Sequence, residues 1–338
     1  MKFYGKAPVR ISLCNGGDTD YYIDILKWTN LINATLDSHY YRCEIEEKQQ
    51  DFIDYYYVNT FLRKKLHKRI ENLNKEKELT LITETIKKIN PSFRGVIKMW
   101  TNVPEKSGLG GSSSLVVSLI KALVKTIKKE YITPEKIAKI AYEIERINLG
   151  IKGGYQDQWA AAFSGGVNYL EFKKNNVFIE PLWLSNSLMK RLEESIVLFF
   201  LEPRKGDSGN IHEQMEKKAK KKDKEDIKII LERRENVVKT RDALLRGDIK
   251  KFAELLNIEH KNKLKLVKGL LTPKANEIYS TAINNGAIAG KISGAGAGGC
   301  AFFINLNKNK KKFIKIIEST GCVYLPIKLQ RLDSMGEI

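Results

Sequence analysis

Residues Pro104–Ser114 read Pro-Glu-Lys-Ser-Gly-Leu-Gly-Gly-Ser-Ser-Ser, and the fold follows from how this stretch is read. Upstream, Gly95–Thr101 (GVIKMWT) is apolar and β-prone, which predicts a strand. Downstream, Leu115, Leu119, Ala122 and Leu123 recur at helical spacing, which predicts a helix running to Lys129. A strand therefore passes through a glycine loop into a helix. Ser112–Ser114 stand where an N-cap belongs, and the first turn of a helix has N–H groups without intrahelical partners. Gly108, Gly110 and Gly111 remove the Cβ atoms that would hold a ligand off the backbone. Orphan donors at the positive end of a helix make an anion site, most naturally for a phosphate. The plainer alternative is a tight turn closed by a serine cap. No Gly-Lys-Ser/Thr closes the loop, so it is not a Walker A motif.

On the amino-terminal side, Lys2–Leu13 reads as a strand delivering the polar turn Cys14-Asn15-Gly16-Gly17-Asp18-Thr19-Asp20 to a cleft. Leu31–Tyr41 and Tyr41–Glu47 read as two further strands. Asp51–Asn90 is polar and Lys-rich, with a helix expected around Phe61–Asn72. On the carboxyl-terminal side, Thr133-Pro134-Glu135 combines an N-cap candidate, a proline at the first helical position and an acid in the first turn. Ile137, Ile140, Ala141, Ile144 and Ile147 mark the buried face of that helix, and Gly150 its stop. Glu145 lies four residues after Ala141 and seven after Ala138, so it borders the apolar face; the alternative is a surface salt bridge with Arg146 or Lys152. Gly153-Gly154 then leads to Asp157, which opens a small-residue helix. Solubility explains an acid there poorly, although the helix dipole also favours aspartate at an N-terminus.

Val167–Phe172 reads as a strand, Lys173–Leu188 as a crossing between units, and Ser195–Leu201 as a buried strand. Helices are expected over Ile211–Leu245, Ile249–Lys268 and Pro273–Asn285, and a last helix and strand follow residue 304. Gly294, Gly296 and Gly299 within KISGAGAGG give a Gly-x-Gly-x-x-Gly match. A dinucleotide fold requires a strand before that pattern and a helix after it. Here a helix is expected before it and the strand CAFFI after it, so the match signifies only backbone that can approach a neighbour closely.

At 338 residues the chain suits two domains, placed at 1–185 and 186–338, and 42% hydrophobic with 29% charged content describes a soluble globular protein. No signal peptide is expected at Met1–Arg10, and Ile196–Leu201 is too short to cross a bilayer. Cys14, Cys43, Cys300 and Cys322 lack Cys-x-x-Cys spacing and read as reduced cytoplasmic thiols. His39, His67, His212 and His260 are isolated, so no zinc site can be built from spacing. The net charge of +19 admits a nucleic acid, an acidic substrate or a lysine-heavy surface. The densest basic run, Lys217–Lys222, leads into Asp223, Lys224, Glu225 and Asp226 and reads as a solvated helix face, without the aromatics of a single-strand binder.

Three loops together carry a resemblance. Lys6-Ala7-Pro8-Val9-Arg10 with Gly16–Asp20, the stretch PEKSGLGGSSS, and KISGAGAGG are similar to the three motifs of the GHMP kinases, in the same order along nearly the whole chain. Within that family, GLGGSSS, YEIERINLG, GGYQDQWAAAFSGG and SGAGAGG resemble the bacterial D-glycero-D-manno-heptose 7-phosphate kinases. The resemblance implies an α+β fold of two domains, the first like domain 2 of ribosomal protein S5 and the second ferredoxin-like. It implies a cytoplasmic, ATP- and Mg²⁺-dependent phosphorylation of the anomeric hydroxyl of a heptose 7-phosphate. A fucokinase- or galactokinase-like sugar 1-kinase is the nearest rival, and a nucleic-acid-binding protein the rival from another class. No membrane or nucleic-acid partner is expected, and a homodimer is compatible with the chain.

By position, the resemblance implies that Pro104, Gly108, Leu109, Gly110, Gly111, Ser112 and Ser113 hold ATP, with Ser112 and Glu145 meeting Mg²⁺. Asp157 corresponds to the catalytic base and Arg10 to the cation beside it. Gly16, Gly17, Asp18, Thr19, Asp20, Gly154, Arg204, Gly294, Gly296 and Gly298 are implied to face the sugar phosphate. Two departures stand out. The first motif has one residue more than Gly-Gly-Gly-Thr-Asp, leaving Asp18 and Asp20 as alternatives for the sugar contact. Tyr155 replaces a small residue, which implies a reshaped sugar pocket.

Overall fold

The computed structural model describes residues 1–15, 20–127, 132–174, 176–204, 209–221 and 223–331. Strand β1 (Lys2–Cys14) is buried along most of its length and pairs antiparallel with β2 (Trp28–Glu47), with helix α1 (Asp20–Leu26) between them. The two strands expected over 31–47 are thus one strand of 20 residues. Its register with β1 shifts between Pro8, opposite Tyr40, and Val9, opposite Leu36. The polar run Asp37-Ser38-His39 is therefore accommodated as a bulge and does not end the strand.

The helix expected around Phe61–Asn72 is not formed. A hairpin of β3 (Ile53–Asn59) and β4 (Lys64–Ile70) occupies this region, followed by α2 (Thr80–Ile89). Tyr55 and Tyr57 are buried while Tyr56 is exposed, the period of two that a strand demands. The lysines that suggested a solvated helix lie along β4, where charge protects a sheet edge from pairing with another chain. Strand β5 (Gly95–Thr101) runs parallel to β3 and delivers the glycine loop to α3 (Gly111–Leu123), which ends six residues before the expected Lys129.

Thr133 caps α4 (Pro134–Tyr142) as expected, its hydroxyl accepting from the Lys136 N–H at 3.2 Å. The helix then widens into a π-turn over Glu143–Asn148. Ile147, expected on the buried face, is 68% exposed because the wider turn shifts the helical phase after Ile144. Helix α5 (Gln156–Phe163), β6 (Val167–Lys173) and β7 (Asn176–Pro181) complete a seven-stranded sheet of order β4-β3-β5-β2-β6-β7, with β1 against β2. Val116, Val117 and Ile120 of α3 join Ile137 and Ala141 of α4 and Trp159 of α5 in a core over Ala7, Leu31, Leu170 and Phe172 of this sheet.

The proposed division at 185/186 falls just before α6 (Asn186–Ser195). Strand β8 (Ile196–Glu202) follows. Helices α7 (Gly209–Lys221) and α8 (Lys224–Leu245) replace the single helix expected over 211–245, and Asp223 caps α8 by accepting from the Glu225 and Asp226 N–H groups. After α9 (Ile249–Leu266) and α10 (Pro273–Asn284) come β9 (Ala289–Ile292), β10 (Gly299–Ile304), α11 (Lys311–Glu318) and β11 (Val323–Leu325). The four strands form an antiparallel sheet of order β11-β8-β10-β9. Both of its faces are apolar. Phe199 and Phe303 pack on α10 and α11, whereas Leu198, Phe200 and Phe302 enter the core that also holds Val9, Ile11 and Leu13. The chain finally returns to the first sheet: Asp37 N–H donates to Lys328 O (2.8 Å) and Gln330 N–H to Thr35 O (3.0 Å), flanking a Leu36–Leu329 bridge.

The basic run on α7 is a solvated face, as read. Lys217 and Lys220 pair with Glu213 and Glu216 one turn away, and Lys218 with Asp226. Among the described residues no helix is long and apolar enough to cross a membrane, and no cluster of three metal-ligating side chains exists.

Candidate active site

Helix α3 starts directly after Gly110, which is left-handed (φ 81°), and no side chain caps it. The serines expected at the cap lie inside the first turn. Ser112 Oγ donates to Glu145 Oε1 (2.9 Å), Ser113 Oγ to Glu145 Oε2 (2.6 Å) and Ser114 Oγ to Pro8 O (2.7 Å). The positive end of the helix is thereby left for an anion, and the serines are committed to a carboxylate and to β1. Leu109 is fully buried and offers only backbone to the loop surface; its carbonyl accepts from the Arg10 N–H (3.0 Å). Pro104 is buried at the loop's entry.

Glu145 is wholly inaccessible and also accepts from Gln158 Nε2 (2.5 Å). The surface salt bridge considered for it is ruled out: Arg146 instead donates to Gly154 O (3.2 Å) and Ile151 O (3.3 Å), fastening the turn before α5. No cation neutralises Glu145 among the described residues. Isolated buried carboxylates are costly unless a counterion completes them.

Asp157 does not cap α5, whose N-cap position is Tyr155. Its Oδ1 accepts from both Nε (2.9 Å) and NH2 (2.5 Å) of Arg10, whose NH1 donates to Gly108 O (2.7 Å). A Cβ on Gly110 would stand 3.2 Å from Asp157 Cγ, so glycine at 110 lets the carboxylate lie close against the loop. The residues read from distant parts of the chain thus meet: Arg10 of β1, Asp157 of α5 and Gly108–Gly110 share one hydrogen-bonded unit.

The third glycine loop joins β9 to β10. A strand precedes it, where a helix was expected, but a strand also follows, so the dinucleotide reading still fails. A Cβ on Gly294 would meet Gly108 O at 2.8 Å, Ser293 Oγ donates to Gly108 O (3.2 Å), and Cys300 N–H donates to Ser107 O (2.8 Å). The second and third loops therefore lie backbone to backbone. Gly298 adjoins the backbone of Arg204, whose guanidinium reaches the neighbourhood of Gly108, with NH2 3.5 Å from the position a Cβ there would take. A Cβ on Gly296 would meet Leu270, so this glycine lies close against the end of the loop after α9.

Gly16, Gly17, Asp18 and Thr19 lie outside the described residues, and Asp20 is placed only as the first residue of α1. Tyr155 stacks on Tyr142 (centroids 4.2 Å apart) and edge-on to Trp159, so its bulk goes into the packing between α4 and α5. His212 of α7 feels Arg146, Asp157, Lys263 and Arg204; burial first, then Arg146, lowers it to about 4, so it is neutral near pH 7. Gln158 and Lys263 were not found from sequence. Gln158 stands one residue from Asp157, and Lys263 stands with Glu259 as the two charges on a stripe otherwise formed by Leu255, Leu256 and Leu266.

A helix-end anion site, a buried carboxylate beneath it and a carboxylate–arginine pair across the loop define a phosphotransferase site, and the chain belongs to the GHMP kinases, which are ATP-dependent. The family's N-terminal domain matches residues 77–165 and its C-terminal domain residues 240–317. The chain is 34% identical to the D-glycero-alpha-D-manno-heptose 7-phosphate kinase of Campylobacter jejuni over 92% of each chain. The crystal structure of a D-glycero-D-manno-heptose 1-phosphate kinase from Bacteroides thetaiotaomicron superposes with a TM-score of 0.76 at 27% identity, covering 98% of this chain and 97% of that one. A putative sugar kinase from Campylobacter jejuni gives 0.76 at 29%, covering 98% and 96%.

Proposed function

We propose that this chain transfers the γ-phosphoryl group of ATP to the anomeric hydroxyl of D-glycero-D-manno-heptose 7-phosphate, giving the 1,7-bisphosphate. The Arg10–Asp157 pair lying across Gly108–Gly110 carries this reading, because it sets a proton acceptor and a cation beside the phosphate loop. Likeness to kinases of heptose phosphates supports the choice of sugar.

Phosphoryl transfer asks the protein mainly for positioning and charge neutralisation. In the proposed mechanism the first turn of α3 receives the triphosphate. The anomeric oxygen forms its bond to the γ-phosphorus while Asp157 takes the hydroxyl proton and the bond to the β,γ-bridging oxygen breaks, releasing ADP. Arg10 balances charge between donor and acceptor. Mg²⁺ fits the un-neutralised Glu145 carboxylate with Ser112 beside it, since Mg²⁺ is commonly held by one or two carboxylates together with substrate phosphates. When bound, it would neutralise charge on the triphosphate.

Arg204 is proposed to help hold the acceptor's phosphate, where a guanidinium can bond two oxygens at once. Arg204→Ala should raise KM for the sugar phosphate roughly tenfold or more and leave ATP affinity unchanged; equal losses for both substrates would exclude this role. The reaction itself is tested by an ATP-consumption screen over heptose, heptose 7-phosphate, fucose and galactose. Turnover confined to fucose or galactose would replace the heptose reading with that of another sugar 1-kinase. Salt-sensitive duplex binding without kinase activity would favour the nucleic-acid alternative.

A further inference from the structure

Beneath the junction of the second and third glycine loops, the protein buries more positive than negative charge. Arg233 of α8 and Glu259 of α9 form a two-pronged ion pair (3.1 and 2.8 Å), 2% and 0% exposed. Two lysines lie beside it with no carboxylate of their own. Lys291 of β9 is satisfied by three oxygens, those of Ser12 O (2.8 Å), Ser12 Oγ (3.2 Å) and Asn15 O (3.2 Å). Lys263, one turn beyond Glu259, is 6% exposed and among the described residues donates only to Gly294 O (2.5 Å). An ammonium has three protons to place. A buried cation with one neutral acceptor is costly unless something anionic completes it.

The position of Lys263 says which anion. Gly294 lies on Gly108, and around these two residues converge Arg10, bonded to Gly108 O, Arg204, beside Gly108, and Lys263, bonded to Gly294 O. In the proposed mechanism the end of α3 and Glu145 are already assigned to the nucleotide. The second dianion in the reaction is the phosphate the acceptor already carries. We propose that Lys263 is a ligand of that phosphate and sets the preference for a phosphorylated over a free sugar. Burial, then Lys291 and Arg233, hold its proton affinity well below that of a free lysine, so an arriving dianion would relieve the strain of keeping it charged.

This inference rests on the proposed function, and its test separates the two. Lys263→Met keeps length and removes charge. Its KM for heptose 7-phosphate should rise roughly 10- to 100-fold, while KM for unphosphorylated heptose and for ATP stays unchanged. Lys263→Arg should keep most of the preference for the phosphorylated sugar. Equal rises for both sugars, or a rise for ATP, would overturn the assignment. In a parallel measurement, inorganic phosphate should raise the melting temperature of the wild type saturated with a non-hydrolysable ATP analogue, but not that of Lys263→Met. If the wild type turns over no heptose and this difference persists, the sugar reading falls and the phosphate site stands. If heptose 7-phosphate is turned over and both proteins respond alike to phosphate, the site falls and the function stands.

Discussion

Asp157→Asn protein should fold, bind ATP and lose turnover by roughly 100-fold or more, the usual worth of a positioned base. The substitution preserves shape, and α5 does not depend on Asp157 for its cap, so the helix should persist. What disappears is the ability to receive a proton beside Gly110, together with the charge that holds Arg10 by Nε and NH2. Arg10→Ala should likewise lower kcat more than it raises KM, because its interaction strengthens as charge moves between donor and acceptor. Steady-state kinetics with circular dichroism and nucleotide binding checks both. A folded Asp157→Asn enzyme at near wild-type rate would falsify the assignment and pass the role to an acid of the Asp18-Thr19-Asp20 turn.

Glu145→Gln should reduce turnover by a comparable factor while weakening binding of metal-free ATP little. The carboxylate is inaccessible and its three neighbours, Ser112, Ser113 and Gln158, are neutral. Under the proposed mechanism a bound cation supplies the partner for the carboxylate charge that these neighbours do not. Removing that charge should also raise the Mg²⁺ concentration needed for half-maximal rate, which titration at fixed ATP reads directly. Wild-type turnover and an unchanged Mg²⁺ requirement would show that Glu145 only fastens α3 to the π-turn.

The parts of this site visible in the sequence are those whose chemistry is local. Glycines between a strand and a helix point to an anion site at the helix end, and the spacing of Glu145 from Ala138 and Ala141 places it at the border of the apolar face. The parts that stayed hidden depend on partners far along the chain. β4 looks like a polar helix until β3 is placed beside it, because an edge strand wants the same lysines that a solvated helix face does. The serines of α3 look like caps until Glu145 draws two of them away. Lys263 looks like half of an i,i+4 pair with Glu259 on a helix face; the packing of α9 against β9 shows that both are buried. Ile147 fits a helical repeat that the π-turn interrupts.

The return of residues 328–330 to the bulge of β2 has a consequence for how the protein is made. Lys328 N–H donates to Ser38 Oγ at 2.9 Å across a separation of 290 residues. At ribosomal speeds of about 5–20 residues per second, that separation is roughly 15–60 s of synthesis. During that interval Asp37-Ser38-His39 lacks the segment that will bridge to it, and the last strand of its own sheet, β7, is complete at Pro181, well before Lys328 is made. The seam over Asp37-Ser38-His39 therefore stays open long after β1 and β2 have been made, and it closes through a contact of very high sequence separation.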